Sequence, residues 1–547
     1  MSTSTPTLEH TPVQETIPDH PHSKVSPTAV GTIAVLSSLC FMPSLLGPFV
    51  LDDVLLIVEN PRFTGLGSVL GFFVEPVEAY LPGGTQNAYY RPLSFLTLWI
   101  DRQIWGDTAT GFHLTNIVLH LISTVLAFRL ACRWLGNNQV LALGAAAIWS
   151  VIPLHAETVS YIAARHDVLC LALFLLALEV YTGGDSIKRR LLFVVLAVAS
   201  FMAKEMAISL PIIAGLHDLL YRDSGPWLSR KRLLQLLTPA LALSALFAMR
   251  IAVVGSATGS SPGLPDPVLV SSVGWHYLKM LAAPFEYSID RSRDVVLTTG
   301  TAVAFATLAT GSLVFALVIV CRQGKSGQRR SFALGILGAC AAYLPVSHVV
   351  PLYTLCADRH LYIPLLPLVL ALTALVSTFA KPGASTHTRR LAVIAVASLY
   401  FLGGVSCLWR SSAFTSEQRL YETSLQVSPQ SPMVHNNLGR VHAQRGNVRA
   451  AAEHFGAALT SAPDYREAQF NLGTVALKQR DLELAERMFG AYLMGERTRN
   501  DPDGWRLWGL TALEAGEKDR ARRRLEIAQK LQPNKKATKL LLDRLDD

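Results

Sequence analysis

Apolar stretches with few or no charges recur along this chain, and no other feature limits its fold so tightly. They lie near residues 28–50, 112–133, 139–154, 167–182, 190–203, 206–221, 233–255, 299–321, 332–350, 360–380 and 391–409. A helix needs about 20 predominantly apolar residues to cross a bilayer, so these stretches read as eleven membrane spans. The composition agrees: 50% of residues are hydrophobic and only 16% charged, against about 25% charged in soluble domains. The expected fold is all-α and opens with a polytopic membrane helix bundle.

Loop charge sets the orientation. The short segments "GGDSIKRR" (183–190), "YRDSGPWLSRKR" (221–232), "CRQGKSGQRR" (321–330) and "KPGASTHTRR" (381–390) are basic and fall on one side of an eleven-span layout. Lys and Arg accumulate on the cytoplasmic side. The segments after Val50, Pro153, Ala203, Gly255 and Val350 then lie outside, as does everything after Trp409. Much of the formal charge of +9 is thereby topological, which argues against a nucleic-acid partner. The first 27 residues, rich in Ser, Thr, Pro and His, cannot bury enough apolar surface to fold and read as a disordered cytoplasmic tail. They lack the pattern of a cleaved signal peptide. The seven cysteines have no CxxC or Cys/His spacing, and read as small packed residues.

Within the first external loop (51–111), "YYRPLSFLTLWIDRQIWGD" (89–107) is apolar but interrupted by Asp101 and Arg102. It reads as an interfacial helix, with Trp99 and Trp105 at headgroup depth. The stretch 273–291 has the same character.

After residue 410 a repeat of 34 residues appears: Leu438-Gly439 match Leu472-Gly473, Ala451 matches Ala485, and Phe455 matches Phe489. A third unit places Trp508-Gly509, Ala521 and Leu525 in register after two inserted residues, and a partial unit precedes at Tyr421, Leu425 and Pro429. That period and those small residues describe stacked helix pairs of the tetratricopeptide (TPR) type. The expected domains are thus a tail at 1–27, a membrane domain at 28–410 and an external TPR array at 411–547.

The external segments carry ionisable residues close to the spans: Asp52, Asp53, Arg91, His155, Glu157, Arg165, His166, Asp167, Lys204, Glu205, Asp358, Arg359 and His360. Singly, each has a bland reading. Lys204 can snorkel or pair with Glu205, arginines can meet headgroups, and an acid pair can simply end a helix. Together they converge on one membrane face, where charges tend to pair or line a polar cavity. Carboxylates can serve as general bases or hold a metal. Arg and Lys bind phosphate. Such a set suits transfer from a lipid-linked phosphate donor.

These residues resemble the C-type (GT-C) glycosyltransferases, polytopic enzymes that use polyprenyl-phosphate sugars, and more closely the transmembrane-and-TPR O-mannosyltransferases. The matching stretches are "LDDVLLIVENPRF" (51–63), "YYRPLSFLTLWID" (89–101), "GFHLTNIVLHL" (111–121), "PLHAETVSYIAARHDVL" (153–169), "AKEMAISLP" (203–211) and "ADRHLYIPLLPL" (357–368), followed by the repeats. The resemblance implies Asp52 and Asp53 as the catalytic acid pair. It implies His155 with Glu157, and Arg165 with Asp167, as site-shaping pairs. Arg91, Lys204 and Arg359 become candidates for the donor phosphate. The array is short beside those of the animal proteins, which leaves the acceptor open and fits a bacterial inner-membrane protein.

The expected function is transfer of a sugar, mannose first, from a polyprenyl-phosphate donor to a hydroxyl, with the repeats recruiting an exported protein acceptor. A divalent cation, Mg or Mn, held by Asp52, Asp53 and Glu157 is an open alternative to a cation-lined pocket. The rival readings are a glycosyltransferase acting on cell-envelope glycans or lipids, and a non-enzymatic membrane anchor presenting a TPR scaffold.

Overall fold

The computed structural model describes residues 25–75, 90–184, 186–221, 229–254, 266–321, 327–349, 352, 354–379, 385–496 and 498–546. Most of the expected N-terminal tail, residues 76–89 of the first external loop and parts of the basic loops lie outside them.

Among the described residues every regular element is helical. The first fifteen α-helices are α1 (Pro27–Leu39), α2 (Gly71–Val74), α3 (Pro92–Trp105), α4 (Ala109–Trp134), α5 (Gln139–Ser150), α6 (His155–Ser160), α7 (Arg165–Thr182), α8 (Ile187–Ala203), α9 (Leu210–Tyr221), α10 (Arg230–Val254), α11 (Pro267–Ala282), α12 (Thr299–Cys321), α13 (Gly327–Tyr343), α14 (Leu365–Phe379) and α15 (Thr386–Ser411). Then follow α16 (Glu417–Val427), α17 (Pro432–Gln444), α18 (Val448–Ser461), α19 (Arg466–Lys478), α20 (Leu482–Leu493), α21 (Pro502–Glu514), α22 (Lys518–Leu531) and α23 (Lys536–Asp546).

A helix stands at every expected span, but four stretches among the described residues have both the length and the apolarity of a bilayer crossing: Ala109–Trp134, Leu233–Val253, Thr299–Val318 and Thr386–Thr415. Pro27–Leu39, Gln139–Ser150 and Leu365–Ser377 are apolar but shorter. Proline is one cause. Pro43, Pro153 and Pro364 stand where the apolar runs continue but the helices do not, because proline lacks an N–H and restricts the residue before it. The chain breaks there into short turns; Asp358, Arg359 and His360 lie on one, and His155 and Glu157 on the short α6 that follows another.

The largest core joins α4, α5, α7, α8, α9, α13 and α14. Close approach of α13 and α14 depends on Gly335, where a Cβ would meet the Pro367 carbonyl and Ala371 at 2.6 Å. In the repeats, paired helices pack small residue against aromatic: Gly439 lies under the Phe455 ring and Gly473 under Phe489.

The repeats begin against the membrane body. Leu420, Tyr421, Val434, Leu438 and Val441 share one core with Val50, Tyr161, Tyr287, Ile289 and Phe414. Three serines stitch the seam. Ser424 Oγ accepts from the Ile289 N–H at 3.1 Å, while Ser428 and Ser431 donate to Asp294 at 2.6 Å and Asp290 at 2.5 Å.

Candidate active site

The acid pair sits on unusual backbone. Leu51 has φ of 52°, a left-handed conformation that costs a branched residue on the order of 1–3 kcal/mol. A π-helical turn, Val54–Val58, follows at once, and single π turns recur at functional sites. This backbone turns the two neighbouring acids to different fates.

Asp53 is fully buried. Its carboxylate accepts from the Val50 N–H at 3.0 Å and the Ala163 N–H at 2.8 Å, stapling the segment after α1 to the turn before α7. Burial holds its carboxyl well above the usual range, although both backbone bonds pull the other way.

Asp52 is exposed. Its N–H donates to the Tyr161 hydroxyl at 3.3 Å. Desolvation by the neighbouring protein raises its pKa; Arg359 and Tyr161 oppose the rise. Of the two carboxylates, only that of Asp52 is open to an incoming group.

The remaining candidates are brought together, but not in the expected pairs. Glu157 is bound by Arg359 rather than His155, and it also accepts from the Asp358 N–H at 3.1 Å. His155 packs among Trp149, His120 and Tyr362, with ring centroids 5.0, 6.0 and 4.8 Å away. Arg165 reaches Asp101 at 2.6 Å and the Phe112 carbonyl at 2.9 Å. Asp167 binds Lys204 at 2.5 Å and His166 at 3.0 Å. The reason is helical geometry: residues two apart on a helix do not face each other. His155 and Glu157 on α6, and Arg165 and Asp167 on α7, therefore point to different neighbours.

The donor-phosphate candidates are likewise paired. Arg91 grips Glu205 with two bonds, at 2.9 and 3.2 Å, and Lys204 and Arg359 hold Asp167 and Glu157. Arg91 and Arg359 keep part of their side chains accessible, whereas Lys204 is buried.

Three residues outside the set that the sequence suggested, Arg291, Arg410 and Asp101, complete the network. Asp358 binds Arg291 at 3.0 Å and also Arg410, whose guanidinium lies 4.9 Å from the Tyr287 ring centre. Asp101, read earlier only as a break in an apolar face, is the partner of Arg165. A charge at the end of a long apolar run, such as Arg410 in "CLWRSS", was the available signal. Among the described residues no group of three or more His, Cys, Asp or Glu side chains fits a metal ion. Asp53 and Glu157 are engaged by backbone N–H groups, and Glu157 also by Arg359.

The sequence profile of the tetratricopeptide repeat matches residues 418–504. Protein O-mannosyl-transferase F38B6.6 of Caenorhabditis elegans is 24% identical over 469 residues, covering 82% of this chain and 65% of its own length. Protein O-mannosyl-transferase TMTC4 of Homo sapiens is 26% identical over 490 residues, covering 78% and 65%. Protein O-mannosyl-transferase TMTC1 of Homo sapiens is 25% identical over 505 residues, covering 82% and 56%. The chain thus spans 65% or less of these relatives' length. Over about four fifths of its own length, it is a homologue of protein O-mannosyl-transferases.

Proposed function

We propose that this chain is a GT-C-type membrane glycosyltransferase that moves mannose from a polyprenyl-phosphate donor to a Ser or Thr hydroxyl of a polypeptide. The observation that carries the reading is the open Asp52 carboxylate beside Arg359, in a chain related to protein O-mannosyl-transferases. Asp52 accepts the proton of the acceptor hydroxyl. The hydroxyl oxygen attacks the sugar C1, the C1–O bond to phosphate breaks, and the polyprenyl phosphate leaves with the electron pair. Attack opposite the leaving group inverts the anomeric centre. Arg359 and Arg91 face the departing charge, Lys204 stands behind them on Asp167, and Asp53 holds the loop that aims Asp52. A positioned base contributes about 10²–10⁴-fold, and fixed charges at the leaving group add to it.

In this reading residues 28–410 form the membrane domain, with about eleven spans, and 411–547 the repeat domain. Asp52 and the repeats face the periplasm of a bacterial inner membrane. Packing of α16 and α17 against Val50 and Tyr161 sets the start of the repeat array beside the acid pair, where a recruited acceptor would meet it. The test is incubation of membranes containing the chain with labelled polyprenyl-phosphate mannose. Label in base-releasable, Ser/Thr-linked form on protein is expected. Label confined to lipid or glycan, or none above control membranes, would overturn the assignment.

A further inference from the structure

Residues 62–75 form a closed finger outside the active-site network. Its neck is tied by Arg62 and Glu75, which pair through their side chains, with a second bond from Arg62 to the Glu75 carbonyl at 3.4 Å. Its core is aromatic. Phe63 and Phe72 are buried, and with Phe95 of α3 their ring centroids lie 5.6, 6.4 and 6.2 Å apart. Gln103 donates to the Phe63 carbonyl at 3.3 Å, and Tyr90 to the Phe73 carbonyl at 2.8 Å. The finger is thus pinned at its base and along its inner side.

Its outer side carries Leu66, Leu70 and Val74, exposed by 80%, 77% and 64%. No residue from 63 to 74 is charged, and the two charges at the neck neutralise each other. Beside it, α3 has inverted polarity. Asp101 turns inward to Arg165, and Arg102 to the Val58 carbonyl at 3.1 Å and to Asp107 at 3.0 Å, while Ile100 and Ile104 are exposed and Trp105 lies half-exposed over Gly111. The next helix, α4, is a membrane-length span whose exposed stripe is Leu114, Val118 and Ile122. Outward apolar surface therefore appears on the finger, on α3 and on a span in turn, with charge directed inward on α3. In water such a surface is a liability; at a bilayer interface it is the ordinary arrangement of an inserted element.

We infer that the finger 62–75 inserts Leu66, Leu70 and Val74 into the lipid leaflet on the side where Asp52 opens. Its occupant is lipid rather than a polypeptide, because the surface offers no charge and continues the lipid-facing stripe of α4. The finger anchors α3, and through Asp101 it fixes Arg165 at a set depth. None of this depends on which group the chain transfers.

The test uses the full chain in phosphatidylcholine nanodiscs, in a background whose cysteines are replaced and whose melting matches the wild type. An environment-sensitive dye is attached after Leu70→Cys or Leu66→Cys, with Val118→Cys as the lipid control and Met494→Cys on the exposed repeat surface as the aqueous control. Nitroxide lipid placed just below the headgroups should reduce emission at positions 70 and 66 at least roughly twofold, as at 118, and leave 494 unchanged. Emission at 70 and 66 that follows position 494 would overturn the inference, including the case in which an added polypeptide then shields the dye.

Discussion

Asp358 and Arg410 meet with neither side chain exposed, whereas Arg449 and Glu453, one turn apart on α18, leave 93% and 65% of their side chains in solvent. The same chemistry does different work in the two regions. In the membrane body the pairs join distant segments: Asp101 to Arg165, Arg91 to Glu205, Glu157 to Arg359, and Asp358 to both Arg291 and Arg410. Each ties one helix end or turn to another with at least one side chain buried or nearly so, where removing one partner strands a charge. Several repeat pairs are local, three or four residues apart, and water replaces either partner at little cost. Shape holds the repeats instead, through contacts such as Gly439 against Phe455.

The sharpest break in this contrast is Asp358→Ala. Arg291 and Arg410 would remain buried without their carboxylate, and loss of one partner of a buried pair costs about 3–5 kcal/mol. Thermal melting of the purified protein should show a large drop. An Arg410→Met exchange added to Asp358→Leu should recover much of it, because an apolar replacement of both partners leaves less charge stranded.

Gly439→Leu attacks the repeats by shape. A Cβ there meets the Phe455 ring at 2.6 Å, and overpacking of this kind costs about 1–3 kcal/mol. Limited proteolysis should find cleavage spreading through α17 and α18 while the membrane body stays protected.

Arg359→Gln sharpens the comparison from the chemical side. Asp52 must be ionised to act as a base, so transfer falls as pH drops through its pKa. Arg359 holds that pKa down against desolvation. Its loss should move the acid limb of the pH–rate profile to higher pH, in addition to lowering the plateau. A limb that stays in place would separate Arg359 from Asp52. The smallest effect is expected for Arg449→Ala, below about 0.5 kcal/mol, with a melting curve that overlays the wild type.

Helix positions and the 34-residue period were legible because apolar runs and small residues recur at intervals that backbone geometry dictates. The turn-rich outer ends were less so. Proline marked where α1 and α5 stop, yet the apolar run near 28–50 read as one span because composition does not reveal a break. That charges from separate segments would meet was also legible. Their pairing was not: Asp101 lies 64 residues from Arg165, and Arg410 lies 52 from Asp358, so nothing local couples them. Neighbours in the chain misled, since His155 and Glu157 are close in number but face apart. The division between an exposed Asp52 and a buried Asp53 depended on the left-handed Leu51 and on which carboxylate found backbone N–H groups.

That division is the most direct point of attack. Single-turnover transfer from labelled polyprenyl-phosphate mannose should be compared for Asp52→Asn and Asp53→Asn, with melting measured on both. Asp52→Asn should lose about 10²–10⁴-fold in rate and melt with the wild type, whereas Asp53→Asn should melt earlier because it weakens the staple to Val50 and Ala163. Wild-type turnover in Asp52→Asn, with its fold intact, would contradict its role as the base.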